Sequence, residues 1–371
     1  MNLETIPTPA LILDVERVRR NAARIGRRVT EMDARLRPHI KTHKCIEVAR
    51  IQTRGHSGAI TVSTLAEARA FAAAGFSDIT YGVPIEPGKF EAAIELAKLC
   101  NRMALLTDDI EIPLPLNEAA RKTGITLDLF LKVDSGYHRC GVEPDSEEAI
   151  TIPTQITNCS NLRFAGILTH AGHSYNYPDR AERLKVARHE RDVMVELADR
   201  LRAQGIEVPT VTIGSTPSIT IVDHLKGVDE ARPGNYIFFD AFQAAIGSCN
   251  FDDCALTVLA AVVHRNGQHN KVVVDAGAIA LSKDRGAVDF QPDCGYGRVL
   301  DLEGRDLGLT VTALAQEHGQ ILLQNCDNKL AVGDRIRILA NHSCLSAAQH
   351  SQYYVLERGE IVDQWPIVRG W

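Results

Sequence analysis

The chain has 371 residues, 24% of them charged and 45% hydrophobic, a length that favours two or three domains, although one large α/β barrel could use most of it. Its 41 basic and 47 acidic residues leave a net charge of −6, which argues against a surface that neutralises nucleic-acid phosphates. We expect no membrane span, because no apolar run approaches roughly 18 residues, and no signal peptide. Nine cysteines without paired spacing favour free thiols in the cytoplasm over a disulfide framework.

Short strand-like runs alternate with helix-like stretches over the first 240 residues. The runs are rich in Val, Ile, Leu and Phe and lack polar alternation, as strands covered on both faces do. They lie at 9–14, 36–41, 59–63, 79–83, 103–107, 127–133, 163–169, 211–215 and 236–240. Between them, apolar residues recur at helical spacing, most clearly at 15–32, 65–74 and 180–204. About eight strand–helix repeats predict a TIM-type (β/α)8 barrel across residues 12–240.

The pattern changes after residue 241, where helical periodicity fades and short strands take over. Turns rich in Gly and Asn separate these strands. The strands are predicted at 255–264, 271–275, 309–315, 335–339, 353–357 and 360–365. We therefore expect a second, antiparallel β domain over residues 241–371, joined by residues 1–11.

One candidate catalytic segment follows the second strand-like run and reads Arg-Pro-His-Ile-Lys-Thr-His-Lys at positions 37–44. Desolvation at the end of a buried strand lowers the pKa of a lysine and makes its amine a nucleophile toward carbonyls, which favours a role for Lys41. His39 and His43 share one face with Lys41 if the strand persists. They either orient Lys41 or only pack. A solvated basic loop is the competing interpretation.

Two further loops after strands carry groups suited to anion binding and proton transfer. Arg139 lies between two glycines and is suited to an anionic ligand oxygen, although a surface arginine is the simpler interpretation. His170, His173 and Tyr175 leave the end of another strand together. Imidazoles titrate near neutral pH, so this group is a candidate for proton transfer or metal binding.

Two later segments have the composition of phosphate-binding loops. Residues 212–218 and 232–236 combine glycine with hydroxyl and amide side chains after strands. Backbone N–H groups and hydroxyls in such loops bind phosphate, and late loops are the usual phosphate site of a barrel. Either segment alone is an ordinary turn, whereas two in succession favour the phosphate site.

The β domain contains a possible metal pair, His342 and Cys344, which lie on one face if the segment is a strand. Imidazole and thiolate suit Zn²⁺, but two ligands are too few for a closed structural site. Water and substrate would complete the coordination, as in catalytic zinc. A chance pairing in a loop is the alternative, and His350 is a weaker candidate ligand.

Taken together, several motifs resemble a fold-type III pyridoxal-phosphate family. This family contains D-threonine aldolases, D-serine dehydratases and 3-hydroxy-D-aspartate enzymes and is distantly related to alanine racemases. The resemblance implies a cofactor-binding barrel followed by a metal-binding β domain. It covers essentially the whole chain, in the segments at 8–14, 37–44, 133–141, 170–175, 232–236, 274–277, 317–319 and 365–370.

The resemblance also implies a role for each matching residue. Lys41 corresponds to the lysine that forms the Schiff base with the cofactor, and Arg139 to the arginine that meets its phenolic oxygen. His342 and Cys344 correspond to the metal pair of the dehydratases, with zinc favoured over manganese. Aldolases usually have Asp followed by Pro-Thr where this chain has Cys344-Leu-Ser. The remaining cofactor-binding positions are Tyr175, Ser215, Thr216, Gly234, Asn235 and Tyr236.

The expected reaction is dehydration of a 3-hydroxy-D-amino acid such as D-serine to a keto acid and ammonia. Lys41 would take the Cα proton, and the metal would act as a Lewis acid on the β-hydroxyl. In the alternative, retro-aldol cleavage to glycine and an aldehyde, His173 would be the base. Racemisation and a non-catalytic role in cofactor homeostasis are further alternatives. By resemblance, we expect a homodimer whose subunits share active sites.

Overall fold

The structure is a computed structural model that describes residues 2–323 and 330–371, so that Cys326 lies outside the described residues. The chain divides into two compact units. One comprises residues 23–234 and 368–371, and the other comprises residues up to 22 and residues 235–367. Within the described part of the chain, none of the helices combines the length and the apolar character needed to cross a membrane.

The first unit contains a sheet of eight parallel strands. In space the strands follow the order β2-β9-β8-β7-β6-β5-β4-β3. A parallel bridge between His39 and Thr61 joins the ends of this series and closes it into the predicted barrel. The strands are β2 Arg35–Leu36, β3 Ile60–Val62, β4 Asp78–Pro84, β5 Arg102–Thr107, β6 Leu127–Lys132, β7 Leu162–Leu168, β8 Val211–Ile213 and β9 Glu230–Ala231.

The helices between these strands begin and end where local sequence signals predict. The Thr64 hydroxyl accepts the Glu67 N–H at the start of α3, and Asp179 accepts two N–H groups at the start of α7. Gly124 ends α5 in the left-handed region, where a side chain would be strained. The helices are α1 Val15–Glu31, α2 Ile46–Thr53, α3 Leu65–Ala73, α4 Phe90–Ala97, α5 Pro113–Thr123, α6 Glu148–Thr157, α7 Arg180–Ala203 and α8 Thr216–Ile221.

Two of the predicted strands differ in the structure. In the run predicted at 36–41, only Leu36 belongs to a strand, because the backbone then turns and forms a 3₁₀ helix over Ile40–Thr42. The run at 236–240 is no strand, since it begins with a 3₁₀ helix over Asn235–Ile237, and the eighth barrel strand is β9. The run at 236–240 is short and apolar, and periodicity alone does not identify such a run as a strand. The run at 36–41 contains Pro38 and three basic side chains, which interrupt its apolar pattern.

The second unit contains a nine-stranded sheet, which is antiparallel except where β1 runs parallel to β16. Pairing of β10 with both β11 and β15 closes a ring of six of these strands. The predicted run at 9–14 becomes β1 and belongs to this sheet rather than to the barrel. The strands are β1 Ala10–Asp14, β10 Leu256–Asn266, β11 Lys271–Val274, β12 Arg298–Leu300, β13 Asp306–Leu314, β14 Gly319–Leu322, β15 Arg335–Leu339, β16 Gln352–Glu357 and β17 Glu360–Pro366. Three short helices, α9 Ala241–Ala245, α10 Ala278–Leu281 and α11 Ser343–Ala347, connect them.

Charged side chains of alternating sign pair across the amino end of the barrel. Arg37 is buried and makes a two-pronged ion pair with Glu230, whose nearer contact is 2.9 Å. It also lies 2.7 Å from Asp78, and Arg102 bridges Asp78 to the buried Asp128. The charges at this end of the barrel therefore neutralise one another within the protein.

Candidate active site

Lys41 lies at the carboxyl end of β2, within the 3₁₀ helix that follows the strand. His39 Nδ1 accepts the backbone N–H of Lys41 at 3.4 Å, and the His39 N–H donates to the Pro233 carbonyl at 3.0 Å. The prediction of a buried lysine on a strand is wrong, because the turn exposes the Lys41 side chain. His39 instead orients the turn that carries Lys41.

His43 has a packing role and does not share a face with Lys41. Its Nε2 lies 2.8 Å from Gln52 Oε1, and its Nδ1 accepts the Cys45 N–H at 3.0 Å. Burial lowers the pKa of His43 to about 4, although both hydrogen bonds oppose the shift. The imidazole is therefore neutral and joins the Lys41 turn to α2.

Four cations face His170 from the carboxyl ends of the barrel strands. Burial, reinforced by Lys41, Lys132, Arg139 and Arg232, holds the pKa of His170 well below its usual value. Lys132 is the last residue of β6 and is itself buried, which lowers its pKa to about 8. The sequence analysis assigned no role to Lys132. The resulting field is positive and favours an anionic ligand.

Arg139 lies on the loop after β6 and is exposed. Its guanidinium carbon lies 5.0 Å from the centre of the Tyr137 ring, a cation–π contact. The same ring stacks on His173 with a centroid separation of 6.3 Å. Tyr137 therefore connects the loop that carries Arg139 to the loop that carries His173.

His173 and Tyr175 occupy a 3₁₀ helix, Gly172–Asn176, that follows β7, and both are half-buried. Among the described residues, no hydrogen-bond partner faces His173 Nδ1. Burial lowers the pKa of His173, and the nearby carboxylate of Glu190 opposes the shift. A neutral imidazole with an unpaired nitrogen can accept a proton, as the sequence analysis expected of His173.

The loops after β7 and β8 meet through a buried chain of hydroxyls. Ser174 Oγ lies 2.9 Å from Ser215 Oγ, which lies 2.8 Å from Ser218 Oγ. Thr216 is buried beside them as the first residue of α8. This arrangement concentrates hydroxyl groups that can bind phosphate oxygens, and a phosphate-binding role for Ser215 and Thr216 stays a prediction.

Gly234 has a clear steric role. A Cβ atom at this position would lie 2.8 Å from the His39 carbonyl oxygen and 3.3 Å from Thr42 Oγ1. The absence of a side chain thus lets this segment pack against the Lys41 turn. A role for Gly234 in phosphate binding stays a prediction.

The β unit places the two predicted metal ligands at the start of α11. His342 is the residue before this helix, and Cys344 lies in its first turn. The prediction that they lie on a strand is wrong, because β15 ends at Leu339 and the Ser343 N–H donates to Asp240 at 3.0 Å. The short spacing nevertheless keeps the imidazole and the thiol close to each other.

Carboxylates that the sequence analysis did not identify support this pair. Asp284 Oδ2 lies 2.7 Å from His342 Nδ1, which leaves Nε2 available for a metal. Burial alone would lower the pKa of His342, but Cys344 and Asp284 raise it to about 11. An imidazole and a thiolate side by side are a donor set that fits zinc.

Asn235 and Tyr236 lie in the same unit as this pair, in the 3₁₀ helix at its boundary. Asn235 Nδ2 donates to Asp240 Oδ2 at 2.7 Å and lies 3.6 Å from Cys344 Sγ. Asn235 Oδ1 is buried and has no hydrogen-bond partner within residues 2–323 and 330–371. Tyr236 is completely buried. The structure therefore joins Asn235 to the candidate metal pair.

A different cluster, formed by Asp134, His138 and Glu143, also has metal-ligand chemistry. Its ligand atoms lie within 4.8 Å of one another. However, His138 and Glu143 are exposed, and Asp134 Oδ1 already accepts the Gly136 and Tyr137 N–H groups. We therefore do not include this cluster in the candidate active site.

Comparison with protein families matches two domains along the chain. Residues 13–241 match "Alanine racemase, N-terminal domain" and residues 255–356 match "Putative serine dehydratase domain". A D-threo-3-hydroxyaspartate dehydratase of Delftia sp. is 37% identical over 379 residues, covering 100% of this chain and 99% of the relative. A D-serine dehydratase of Dictyostelium discoideum is 33% identical, with coverages of 100% and 98%.

Solved structures show the same similarity over the whole chain. The D-threo-3-hydroxyaspartate dehydratase from Delftia sp. superposes with a TM-score of 0.96, covering 100% of both chains at 37% identity. A cysteine-to-alanine variant of that enzyme is known in a metal-free form, and a histidine-to-alanine variant is also known. D-threonine aldolase from Filomicrobium marinum has a TM-score of 0.87 at 30% identity, covering 99% of this chain and 97% of the other.

Proposed function

Since this chain belongs to the family that joins an alanine racemase N-terminal domain to a serine dehydratase domain, we propose that it dehydrates 3-hydroxy-D-amino acids with pyridoxal phosphate and zinc. The preferred substrates are D-threo-3-hydroxyaspartate and D-serine, as in the relatives of highest identity named above. The products are a keto acid and ammonia. The observation that carries the proposal is the position of Lys41, at a strand end beside a cluster of cations.

The residues of the barrel unit fit pyridoxal phosphate. The cofactor is anionic at its phosphate and its phenolic oxygen, and Lys41, Lys132, Arg139 and Arg232 give this end of the barrel a positive field. Lys41 would hold the cofactor covalently, and the hydroxyls around Ser215 would bind its phosphate. When bound, pyridoxal phosphate supplies the electron sink that stabilises negative charge at Cα.

The β unit fits a divalent metal, for which zinc is favoured over manganese because one ligand is a thiolate. His342 and Cys344 would hold it. In the solved relative, the histidine and cysteine changed to alanine stand two residues apart, as this pair does. The metal would supply a Lewis acid for the β-hydroxyl, which is a poor leaving group on its own.

The side chains divide the proton transfers between them. Lys41 Nζ would accept the Cα proton of the substrate, a role supported by the exposure of its side chain in the turn that follows β2. His170 stays neutral, since burial and the surrounding cations oppose its protonation. In the retro-aldol alternative His173 would be the base for the β-hydroxyl, and its lowered pKa, which favours the neutral imidazole, supports that role.

The test is product analysis with purified protein, pyridoxal phosphate and zinc. D-threo-3-hydroxyaspartate, D-serine and D-threonine are offered together with their L-isomers. We expect a keto acid and ammonia from a D-isomer, with the activity lost in Lys41→Ala and Cys344→Ala and after treatment with EDTA. Full turnover by the EDTA-treated protein would contradict the role of the metal.

Retro-aldol cleavage is the second candidate, because a D-threonine aldolase shares this fold at 30% identity. The cysteine in the metal pair favours dehydration, since it matches the cysteine altered in the dehydratase relative. Glycine and an aldehyde as products would decide for the aldolase. The L-isomer alone would indicate a racemase, and binding of the cofactor without turnover would indicate a homeostasis protein.

We also infer that the protein is cytoplasmic, which is in keeping with the free thiols of its described residues. We further infer that it is a homodimer whose subunits share active sites. Mixing Lys41→Ala with Cys344→Ala tests the shared site. Hybrid dimers regain activity only if the two residues of one site come from different subunits. Light scattering that shows a fully active monomer would contradict the dimer.

A further inference from the structure

Glu190 on α7 is a buried carboxylate to which neither the sequence analysis nor the proposed reaction assigns a role. Its Oε1 accepts the Ala171 N–H at 2.9 Å and the Gly214 N–H at 3.1 Å. Ala171 follows β7 and Gly214 follows β8, so one oxygen joins the ends of two neighbouring strands. Carboxylates are rarely buried unless their environment compensates the charge.

The second oxygen of Glu190 is an unusual feature. Within the described parts of the chain, Oε2 has no hydrogen-bond partner, and neither has His173 Nδ1. Glu190 and His189 face His173 from α7, while Asp134 and His138 face it from the loop after β6. Of these groups, Glu190 is the one completely buried acid. Both atoms are thus buried without a partner among the described residues, and the carboxylate of Glu190 acts on His173 from α7.

We propose that Glu190 is a positioning residue that fixes the loops carrying His173 and Ser215 relative to each other and supplies the negative charge that a protonated His173 requires. The inference rests on the proposed function, because that function uses these two loops. The hydrogen bond between Ser174 and Ser215 also connects these two loops. Because the loops are connected in this way, we expect removal of the carboxylate to shift both loops.

Cofactor binding tests the first part of the proposal. Glu190→Ala removes the acceptor of two backbone N–H groups, and we expect pyridoxal phosphate, titrated by its absorbance, to bind about ten-fold or more weakly. Glu190→Gln retains an oxygen at Oε1, so its affinity stays near that of the unmodified protein. Glu196→Gln, an exposed change on the same helix, is the matched control. Unchanged affinity in Glu190→Ala would overturn the positioning role.

The charge of Glu190 is tested by the titration of His173, followed by nuclear magnetic resonance of ¹⁵N-labelled histidines. His173→Asn assigns the signal. Removal of a nearby negative charge destabilises the imidazolium, so Glu190→Gln should lower the pKa of His173 by about one unit. A titration identical to that of Glu196→Gln would overturn this part.

The two readouts separate failure of this inference from failure of the proposed function. The proposed function is contradicted if the protein binds no pyridoxal phosphate or turns over none of the D-hydroxy amino acids. In that case the titration of His173 still decides the role of Glu190. If Glu190→Ala does not fold, as judged by circular dichroism, the Glu190→Gln titration decides the inference.

Discussion

The hydrogen bond between Asp284 and His342 allows a quantitative test of the candidate metal pair. Asp284 Oδ2 lies 2.7 Å from His342 Nδ1, so Nε2 is the nitrogen available to the metal. Carboxylate partners of metal-binding histidines fix the tautomer and the ring orientation and raise the basicity of the ligand. We therefore expect Asp284→Asn to weaken zinc binding without removing either ligand.

The size of the effect follows from the strength of the hydrogen bond. A bond to a charged group contributes about 1.5–3 kcal/mol, and a neutral bond about 0.5–1.5 kcal/mol. Asp284→Asn keeps an acceptor oxygen but removes its charge, so the loss is about 1.4 kcal/mol, or ten-fold in the Kd for zinc. Asp284→Ala removes the acceptor as well, for which we expect about 100-fold.

The assay is competition for zinc between the protein and a chromophoric chelator at neutral pH. Asp289→Asn, an exposed acid in the same segment, is the matched control and should bind zinc normally. Unchanged affinity in both Asp284 variants would refute the reasoning, as would an equal loss in Asp289→Asn.

Three further predictions concern stability. Arg37→Met leaves the buried Glu230 without its buried partner and should lower the free energy of unfolding in urea by about 3–5 kcal/mol. His43 has a pKa of about 4 in the folded protein and about 6.5 when unfolded. As the pH falls, the unfolded chain therefore binds the proton first, and about 3 kcal/mol of stability is lost between pH 6.5 and pH 4. Urea titrations over this pH range should show a smaller loss in His43→Asn. Gly166→Ala should yield little soluble protein on expression, because the new Cβ would overlap the Thr210 carbonyl oxygen at a left-handed φ of 120°.

Each of these changes has a control variant of the same residue type. Arg35→Met removes an exposed partner of Glu230, and we expect a loss below about 1 kcal/mol. His269→Asn alters an exposed histidine and should leave the acid dependence unchanged. Gly267→Ala places a Cβ where no atom lies within 4 Å, so its yield should be normal. Equal effects of a variant and its control would contradict the corresponding argument.

The barrel and its helices were predictable because their signals are local. Alternation of apolar runs with amphipathic stretches identified α1, α3 and α7 to within one residue at each end. The strand ends then located Lys41 and His173. Some short strands escaped, since β12 and β14 have three and four residues and carry no clear period.

The supporting residues were not predictable because their roles depend on distant contacts. Asp284 meets His342 across 58 positions of the chain, and no spacing rule connects them. Glu190 lies on α7 among other charged residues, and only the fold shows that it is buried. The turn at Lys41 was also missed, because it depends on a contact between His39 and Pro233. Motifs indicated which residues are candidates for the reaction, but not which residues position them.

The two ends of the barrel differ in their local charge. At the amino end, Arg37 and its acidic partners cancel one another. At the carboxyl end, Lys41, Lys132 and Arg139 create a local positive potential in a protein whose net charge is −6. We therefore expect these cations to attract anionic ligands to the carboxyl end, as in electrostatic steering. The association rate of an anionic ligand should accordingly fall as salt screens this field.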